Sequence, residues 1–238
     1  MSDSVVGRVV LITGAGSGIG EALARRFRAD GALVAGCDLP RRLGVASTAC
    51  DLAMAANVTV PAEIGAFAAR AEQRFGRIDA LIANAGTGRI SAIEDGAWND
   101  IELVIRVNLF GVLHSIRAVL PAMRRQSYGR LVAVVSRHAE ICPPQLAPYS
   151  ASKAAVITAT RTLANELRGS DILVNNLIPG PTKTALNPRG LLAPDASYAT
   201  AKMLALLPTG GPSGRTFFEE RDYPVFSRFS SGETAALL

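Results

Sequence analysis

Short, unbroken apolar runs alternate along the chain with longer stretches in which apolar residues recur at helical spacing. The unbroken runs lie at 8–13, 32–37, 54–57, 80–83, 131–135, 172–178 and 215–218. Runs without interleaved polar residues indicate strands that are covered on both faces, as in a parallel sheet. The helical stretches between them lie at 19–29, 62–75, 98–123, 150–167 and 196–207. This alternation predicts an α/β fold, a doubly wound parallel sheet of about seven strands with helices on both faces.

The chain shows no internal repeat, low-complexity segment or linker, and its 238 residues suit one domain. We therefore predict a single domain over residues 1–238. Ligands of doubly wound sheets bind at the carboxyl ends of the strands, so the residues that follow each strand are the candidates for a site.

Composition excludes several classes of function. The net charge of +5 comes from scattered arginines without an aromatic-interleaved basic patch, which argues against a nucleic-acid partner. Cys37, Cys50 and Cys142 have no Cys-x-x-Cys spacing and indicate reduced thiols. With only His114 and His138 as histidines, we predict no metal site. The chain begins without signal-peptide architecture and contains no uncharged apolar stretch of roughly 18 residues, so we predict a cytoplasmic protein with no membrane partner.

A glycine-rich turn, Thr13-Gly-Ala-Gly-Ser-Gly-Ile-Gly20, follows the first predicted strand and opens the first predicted helix. Its glycines permit a tight turn and close approach of the backbone to a ligand, and the helix N-terminus offers N–H groups to a pyrophosphate. The position between a strand and a helix is the context that such a turn requires. We therefore predict a dinucleotide site that includes Gly14, Ser17, Gly18, Ile19 and Gly20.

Asp38 ends the second predicted strand, with Leu39 beside it. A carboxylate at this point accepts hydrogen bonds from both ribose hydroxyls of the adenosine half and repels a 2′-phosphate. The sequence therefore favours NAD over NADP, although Arg41 and Arg42 follow closely and keep NADP as the less favoured alternative.

Tyr149 and Lys153 stand four residues apart, which places them on one face of a helix. An ammonium beside a phenol favours the phenolate and so lowers the pKa of the tyrosine towards neutrality. Such a tyrosine serves as a general acid–base at physiological pH. The alternative is an ordinary exposed pair on an alanine-rich helix.

With these motifs the chain resembles the classical type of the short-chain dehydrogenase/reductase family, from about residue 5 to residue 218. Further family motifs stand at the family's spacing: Asn84-Ala85-Gly86 after the fourth strand, Asn108 in the long helix, Ser136 before Tyr149, and Pro179-Gly180 followed by Thr182 and Thr184. The resemblance implies a Rossmann fold and NAD(P)-dependent redox chemistry. It places Asn84, Ala85 and Gly86 beside the adenosine ribose and the segment from Pro179 around the nicotinamide.

The resemblance also implies roles for four residues. Ser136 would donate a hydrogen bond to the substrate oxygen, and Tyr149 would exchange a proton with it. Lys153 would lower the tyrosine pKa and bind the nicotinamide ribose, while Asn108 would hold a water that links Lys153 to solvent.

The sequence departs from the family at several points. Asn57-Val58 stands near the adenine where the family commonly has Asp-Val, and Arg137-His138-Ala-Glu140 replaces the small residues that commonly follow the serine. The lid near residues 181–196 is shorter than usual, which predicts an open site covered in part by the tail at 219–238 or by a neighbouring subunit. The family's interfaces imply a homotetramer or homodimer.

These features predict an oxidoreductase that transfers a hydride between NAD(H) and a small-molecule secondary alcohol or ketone. One alternative is a family member without redox chemistry, such as a dehalogenase or lyase, but those lose the glycine turn or replace the lysine. Another is a nucleotide-sensing module, which needs neither Tyr149 nor Ser136. The substrate stays open among aliphatic, aromatic, steroid, sugar and acyl-thioester compounds.

Overall fold

The computed structural model describes residues 4–227, and its strands form one eight-stranded sheet. The strands are β1 (Val9–Thr13), β2 (Leu33–Asp38), β3 (Leu52–Ala55), β4 (Ala80–Ala83), β5 (Gly129–Val134), β6 (Ile172–Leu177), β7 (Thr216–Phe218) and β8 (Arg221–Asp222). Their order is β3-β2-β1-β4-β5-β6-β7-β8. Strands β1 to β7 pair in parallel, as predicted, whereas β8 pairs antiparallel with β7 and was not predicted.

Helices cover both faces of the sheet, which confirms the doubly wound α/β prediction. They are α1 (Gly18–Ala29), α2 (Leu43–Ala49), α3 (Pro61–Phe75), α4 (Trp98–Ile105), α5 (Gly111–Arg125), α6 (His138–Ile141), α7 (Ala147–Glu166) and α8 (Tyr198–Ala205). One buried apolar cluster contains residues of α3, α5 and α7, and a second contains residues of α1, α2 and α8. The short helices α2 and α6 were missed because one or two turns carry too little periodicity to detect.

The predicted helix at 98–123 is two helices joined by a π-helical turn at Arg106–Phe110. By length and composition the continuous stretch Trp98–Arg125, which contains an 18-residue window with a mean hydropathy of 1.6, could cross a membrane. Its second half packs against α3 and β4 and buries Val112, Val119 and Met123. Those apolar positions therefore belong to the core of the α/β fold.

The strand order reverses at β1, which pairs with β2 on one side and β4 on the other. Such a reversal opens a crevice at the carboxyl ends of the strands, where ligands bind. The buried Thr13 hydroxyl accepts hydrogen bonds from the backbone N–H groups of Asn84 and Ala85, at 3.1 Å each. The loops after β1 and β4 are thereby held side by side at that crevice.

Candidate active site

Tyr149 and Ser136 meet at the carboxyl edge of β5. Ser136 follows that strand closely, and Tyr149 lies in the first turn of α7, where Pro148 suits the helix start. The Ser136 hydroxyl lies close enough to the Tyr149 phenol to affect its pKa. Burial raises the pKa of the Tyr149 phenol above its ordinary value, and the Ser136 hydroxyl opposes that rise. The structure therefore brings together the predicted proton donor and the predicted serine.

Lys153 lies one turn further along α7 and is buried. Its Nζ donates a hydrogen bond to the Val134 carbonyl at 2.8 Å and stands 5.8 Å from the centre of the Tyr149 ring. Burial lowers the pKa of Lys153 to about 8. The structure does not show the expected lowering of the Tyr149 pKa by Lys153, because burial of the phenol raises that pKa and the ammonium is bonded to the end of β5.

Asn108 lies fully buried in the π-helical turn. Its Nδ2 donates to the Thr87 carbonyl at 2.9 Å and to Ser152 Oγ at 3.0 Å, while its Oδ1 accepts from the Thr87 N–H at 2.8 Å. The amide thus fastens the loop after β4 to α7. A water relay through Asn108 stays a prediction, and the roles of Thr87 and Ser152 had no motif to reveal them.

The glycine turn forms a cradle that side chains would fill. A Cβ on Gly20 would lie 2.1 Å from the Gly14 carbonyl oxygen, and one on Gly14, which has a φ of 70°, would lie 3.0 Å from Ala85 Cα. Ser17 is the N-cap residue of α1, but its side chain makes no capping hydrogen bond. The first N–H groups of the helix, which face the crevice, are therefore not bonded by a capping side chain. This combination fits the pyrophosphate of a dinucleotide.

Asp38 is held in place at the carboxyl end of β2. Its Oδ2 accepts from the Gly16 N–H at 2.8 Å and its Oδ1 from the Leu39 N–H at 2.7 Å. Arg42 packs against Gly16, since a Cβ there would lie 2.6 Å from Arg42 Cβ. The carboxylate is therefore oriented beside the turn, with a cationic residue as its neighbour.

The two residues predicted near the adenine follow β3. Asn57 Oδ1 accepts from the backbone N–H and the hydroxyl of Thr59, at 3.0 and 2.9 Å. Val58 is buried, and its carbonyl is hydrogen bonded to the His114 ring at 2.9 Å. Asn57 thus shapes its own turn, and its contact with an adenine stays a prediction.

The segment after β6 reaches back to the glycine turn. Thr184 Cγ2 lies 3.2 Å from the position of a Cβ on Gly18. The Thr182 hydroxyl donates to the Pro179 carbonyl at 3.0 Å, and Thr182 forms a bridge with Leu192 further along the segment. Pro179 to Thr184 therefore borders the crevice, and the Thr182 hydroxyl is used within the segment. Contact of this segment with a nicotinamide stays a prediction.

Three residues to which the sequence assigned no definite role lie near Tyr149. The His138 ring meets the Tyr149 ring edge to face, with centres 6.0 Å apart, and burial followed by the Arg137 charge lowers the pKa of His138. A Cβ on Gly88 would lie 3.5 Å from Tyr149 Cδ2 and 3.2 Å from Leu186 Cδ1. A largely apolar rim with one imidazole thus borders the phenol.

The serine, the tyrosine, the buried lysine and the glycine turn all lie within the part of the chain that a family comparison matches. The model of the short chain dehydrogenases matches residues 8–190. The chain belongs to the short-chain dehydrogenase family. Its chemistry is that of an oxidoreductase with a nicotinamide cofactor, which the cradle fits.

Individual relatives support the assignment. The chain is 35% identical over 189 residues to the oxidoreductase UcpA of Escherichia coli, which covers 76% of this chain and 72% of that protein. It is 32% identical over 188 residues to a D-beta-hydroxybutyrate dehydrogenase of Rhizobium meliloti, covering 75% of this chain and 73% of that one. A 3-ketoacyl-(acyl-carrier-protein) reductase from Brucella melitensis complexed with NADH superposes with a TM-score of 0.84 at 32% identity, over 90% of this chain and 97% of that chain.

Proposed function

We propose that the protein transfers a hydride between NAD(H) and a small-molecule secondary alcohol or ketone, with Tyr149 as the general acid–base. The observation that carries this proposal is that the Ser136 and Tyr149 side chains lie next to each other beside the buried Lys153. These side chains lie at the same sheet edge as the glycine turn. When bound, the nicotinamide supplies or accepts the hydride, and the protein supplies orientation and proton transfer.

The residues of the chain divide the work. Ser136 donates a hydrogen bond to the substrate oxygen, and Tyr149 protonates that oxygen in reduction or deprotonates the alcohol in oxidation. Burial keeps the phenol protonated in the free chain, which is the form that reduction needs. Lys153 uses one N–H for the Val134 carbonyl, so its other donors serve the ribose hydroxyls of the nicotinamide half.

We favour NAD over NADP because the Asp38 carboxylate is fixed by two backbone N–H groups at the adenosine end of the crevice. A carboxylate there accepts ribose hydroxyls and repels a phosphate. The other cofactor contacts in this proposal are Gly14, Ser17, Gly18, Ile19, Gly20, Leu39, Asn57, Val58, Asn84, Ala85, Gly86, Pro179, Gly180, Thr182 and Thr184.

In this proposal the protein is a single domain. Its entrance for the substrate is open and partly apolar. The segment 181–196 serves as a short lid, with Leu186 half exposed and Leu191 87% exposed. Part of the predicted tail, 219–227, packs nearby, and the rest of that prediction, 228–238, lies outside the described residues. Two relatives are named as a D-beta-hydroxybutyrate dehydrogenase and a 3-ketoacyl-(acyl-carrier-protein) reductase, and both names place the reactive oxygen on the third carbon of an acyl chain. We therefore place 3-hydroxyacyl compounds first in the substrate panel.

The test is turnover of the purified protein with NAD and with NADP against a panel of secondary alcohols, and with the reduced cofactors against the matching ketones. We expect a nicotinamide absorbance change with NAD and at least one substrate. Tight binding of the nucleotide with no turnover across the panel would instead favour the nucleotide-sensing module.

We also propose that the protein associates through α5 and α7, as the resemblance implies. A mostly apolar groove runs between these two helices, with the core residues Val112, Ile116 and Val156 at its floor. Its exposed lining includes Leu113, which is 38% exposed, together with Arg117 and Glu166. Burying such a face is favourable in a second copy of the chain. Light scattering should give the mass of a dimer or tetramer, and a monomer at micromolar concentration would contradict the proposal.

A cytoplasmic location stays part of this proposal. Cys37, Cys50 and Cys142 are free thiols, and Cys37 and Cys50 are buried, which suits a reducing compartment. Fractionation of the native host is the direct test.

A further inference from the structure

One carboxylate joins the serine loop to the C-terminal part of the described chain. The Tyr223 hydroxyl donates a hydrogen bond to Glu140 Oε1, and the Phe226 backbone N–H donates to Glu140 Oε2 at 3.1 Å. We call residues 223–227 the strap. Both oxygens of Glu140 are thus bonded to the strap, although more than 80 residues of sequence separate the two ends of each bond.

Glu140 lies on α6, the single helical turn that follows Ser136. The Ser136 side chain accepts a hydrogen bond from the His138 N–H at 3.2 Å, and its carbonyl accepts from the Ala139 N–H at 3.1 Å. The turn stops at Cys142, whose φ is 51°. Four helical residues do not hold a helix by themselves, so the geometry around Ser136 depends on contacts made by this turn.

The strap is itself firmly attached to the body of the protein. The Tyr223 N–H donates to the Thr216 carbonyl of β7 at 2.7 Å, and the Tyr223 ring meets Phe218 edge to face at 6.4 Å. Val225 is only 6% exposed and belongs to the core cluster of α5 and α7. The Arg137 guanidinium lies over the Tyr223 ring at 5.8 Å, which adds a second contact to the serine loop.

We propose that Glu140 and Tyr223 are positioning residues that hold α6 against the strap and thereby aim the Ser136 hydroxyl at Tyr149. The inference rests on the proposed function and deepens it. Glu140 belongs to the helical turn that is hydrogen bonded to Ser136, and its carboxylate is bonded to the strap, which is attached to the body of the protein. The strap follows the region that matches the family model, residues 8–190, so the family match itself does not assign it this task.

The chain offers a matched control. Tyr198 also donates its hydroxyl to a carboxylate, Asp30, at 2.8 Å, but that pair joins α1 to α8. Tyr198→Phe and Tyr223→Phe therefore each remove one tyrosine–carboxylate hydrogen bond and keep the ring. Of these two bonds, only the one between Tyr223 and Glu140 involves the helical turn that follows Ser136.

The first measurement needs no turnover. Hydrogen exchange of the full chain, followed by mass spectrometry, should show faster exchange at residues 137–142 in Tyr223→Phe, by about fivefold or more for the loss of one buried hydrogen bond. Exchange there should be unchanged in Tyr198→Phe. Equal exchange in Tyr223→Phe and the wild type would overturn the proposal.

The second measurement asks whether the effect passes through Ser136. Tyr223→Phe should lower kcat by about tenfold with an unchanged Kd for the nucleotide, and Glu140→Gln, which keeps an oxygen acceptor, should lose less. In a Ser136→Ala background, adding Tyr223→Phe should change kcat by less than about twofold, because the hydroxyl to be aimed is already gone. Additive losses would overturn the positioning role. If the wild type turns over no substrate, the proposed function fails, and the exchange measurement still decides whether the strap holds the turn.

Discussion

The two sides of the crevice differ in whether backbone groups or side chains form the functional surface. On the cofactor side the functional surface is mostly backbone: the glycine turn, the uncapped start of α1, and a carboxylate fixed by two N–H groups. On the substrate side it is made of side chains on short or irregular segments, namely Ser136, His138, Leu186 and the anchored α6. The difference teaches that, in the proposed function, rigid backbone binds the cofactor, which stays the same. The substrate, which varies among related enzymes, is contacted by segments that contacts with distant residues hold in place.

The comparison has an energetic side as well. Adding a single Cβ on the cofactor side collides with backbone, which cannot move away without disturbing β1 or β4. The substrate side instead contains the half-buried Tyr149 and the buried Lys153, whose pKa values are both shifted by burial. Substitutions on the cofactor side should therefore weaken nucleotide binding, whereas substitutions on the substrate side should lower turnover.

The largest effect is expected for Tyr149→Phe. Loss of the phenolic hydroxyl removes the proton donor and should lower kcat by about a thousandfold, within the usual range for a general acid–base. Nucleotide affinity, measured by fluorescence titration, should change by less than about threefold, because the aromatic ring and the proposed contact of Lys153 with the nicotinamide ribose remain. Tyr128→Phe, remote from Ser136 and packed under Arg130, is the control. Substantial turnover by Tyr149→Phe would remove Tyr149 from its role.

The matching change on the cofactor side is Gly20→Ala. The new Cβ would lie 2.1 Å from the Gly14 carbonyl oxygen, so the turn must open. Nucleotide affinity should fall by about a hundredfold or more, since the helix N-terminus no longer meets the pyrophosphate. Gly65→Ala, where the Cβ meets nothing within 4 Å in α3, should leave affinity unchanged and raise stability slightly. Normal affinity in Gly20→Ala would show that the dinucleotide binds elsewhere.

The same contrast explains what the sequence could predict. Alternating apolar runs and helical patterns were sufficient for β1 to β7 and for the helices longer than two turns, because most of these elements bury apolar residues. The glycine turn and the Ser136, Tyr149 and Lys153 set were also predicted, because these motifs have local spacing. The structure brings those side chains to one edge of the sheet.

What the sequence could not predict depends on contacts between distant residues. The rise in the pKa of Tyr149 follows from burial by several loops, and the bond between Lys153 and the Val134 carbonyl follows from the position of β5 beneath α7. The link between Glu140 and Tyr223 has no motif, because its partners share neither spacing nor periodicity. The π-helical turn likewise leaves the helical apolar pattern almost intact.

A third prediction concerns Lys153 and pH. Burial lowers its pKa in the folded chain from 10.5 to about 8, so between these values the unfolded chain binds more protons than the folded one. Stability must then rise with pH through that window. From about pH 8 to about pH 9.5 the wild type should gain about 2 kcal/mol in the free energy of unfolding relative to Lys153→Met.

Urea unfolding at several pH values measures this difference. The series stays below about pH 10, since the raised pKa of Tyr149 has the opposite effect there: the unfolded phenol ionises first, and stability falls. A constant difference between the wild type and Lys153→Met across the window would mean that the ammonium is not desolvated in the folded chain.

The smallest effect is expected for Asp38, where one carboxylate sets the choice between the two cofactors. Asp38→Ser removes the charge that repels a 2′-phosphate and leaves Arg42 packed against Gly16 at the turn. The ratio of kcat/KM for NAD to that for NADP should fall by about tenfold to thirtyfold, the value of one or two hydrogen bonds and a like-charge contact. Asp38→Asn, which keeps an oxygen for one of the two N–H groups, separates loss of charge from loss of the loop contacts: a similar shift in both variants assigns the selectivity to charge. An unchanged ratio in both would place the choice of cofactor outside β2, and the cofactor side would then depend on distant side chains as the substrate side does.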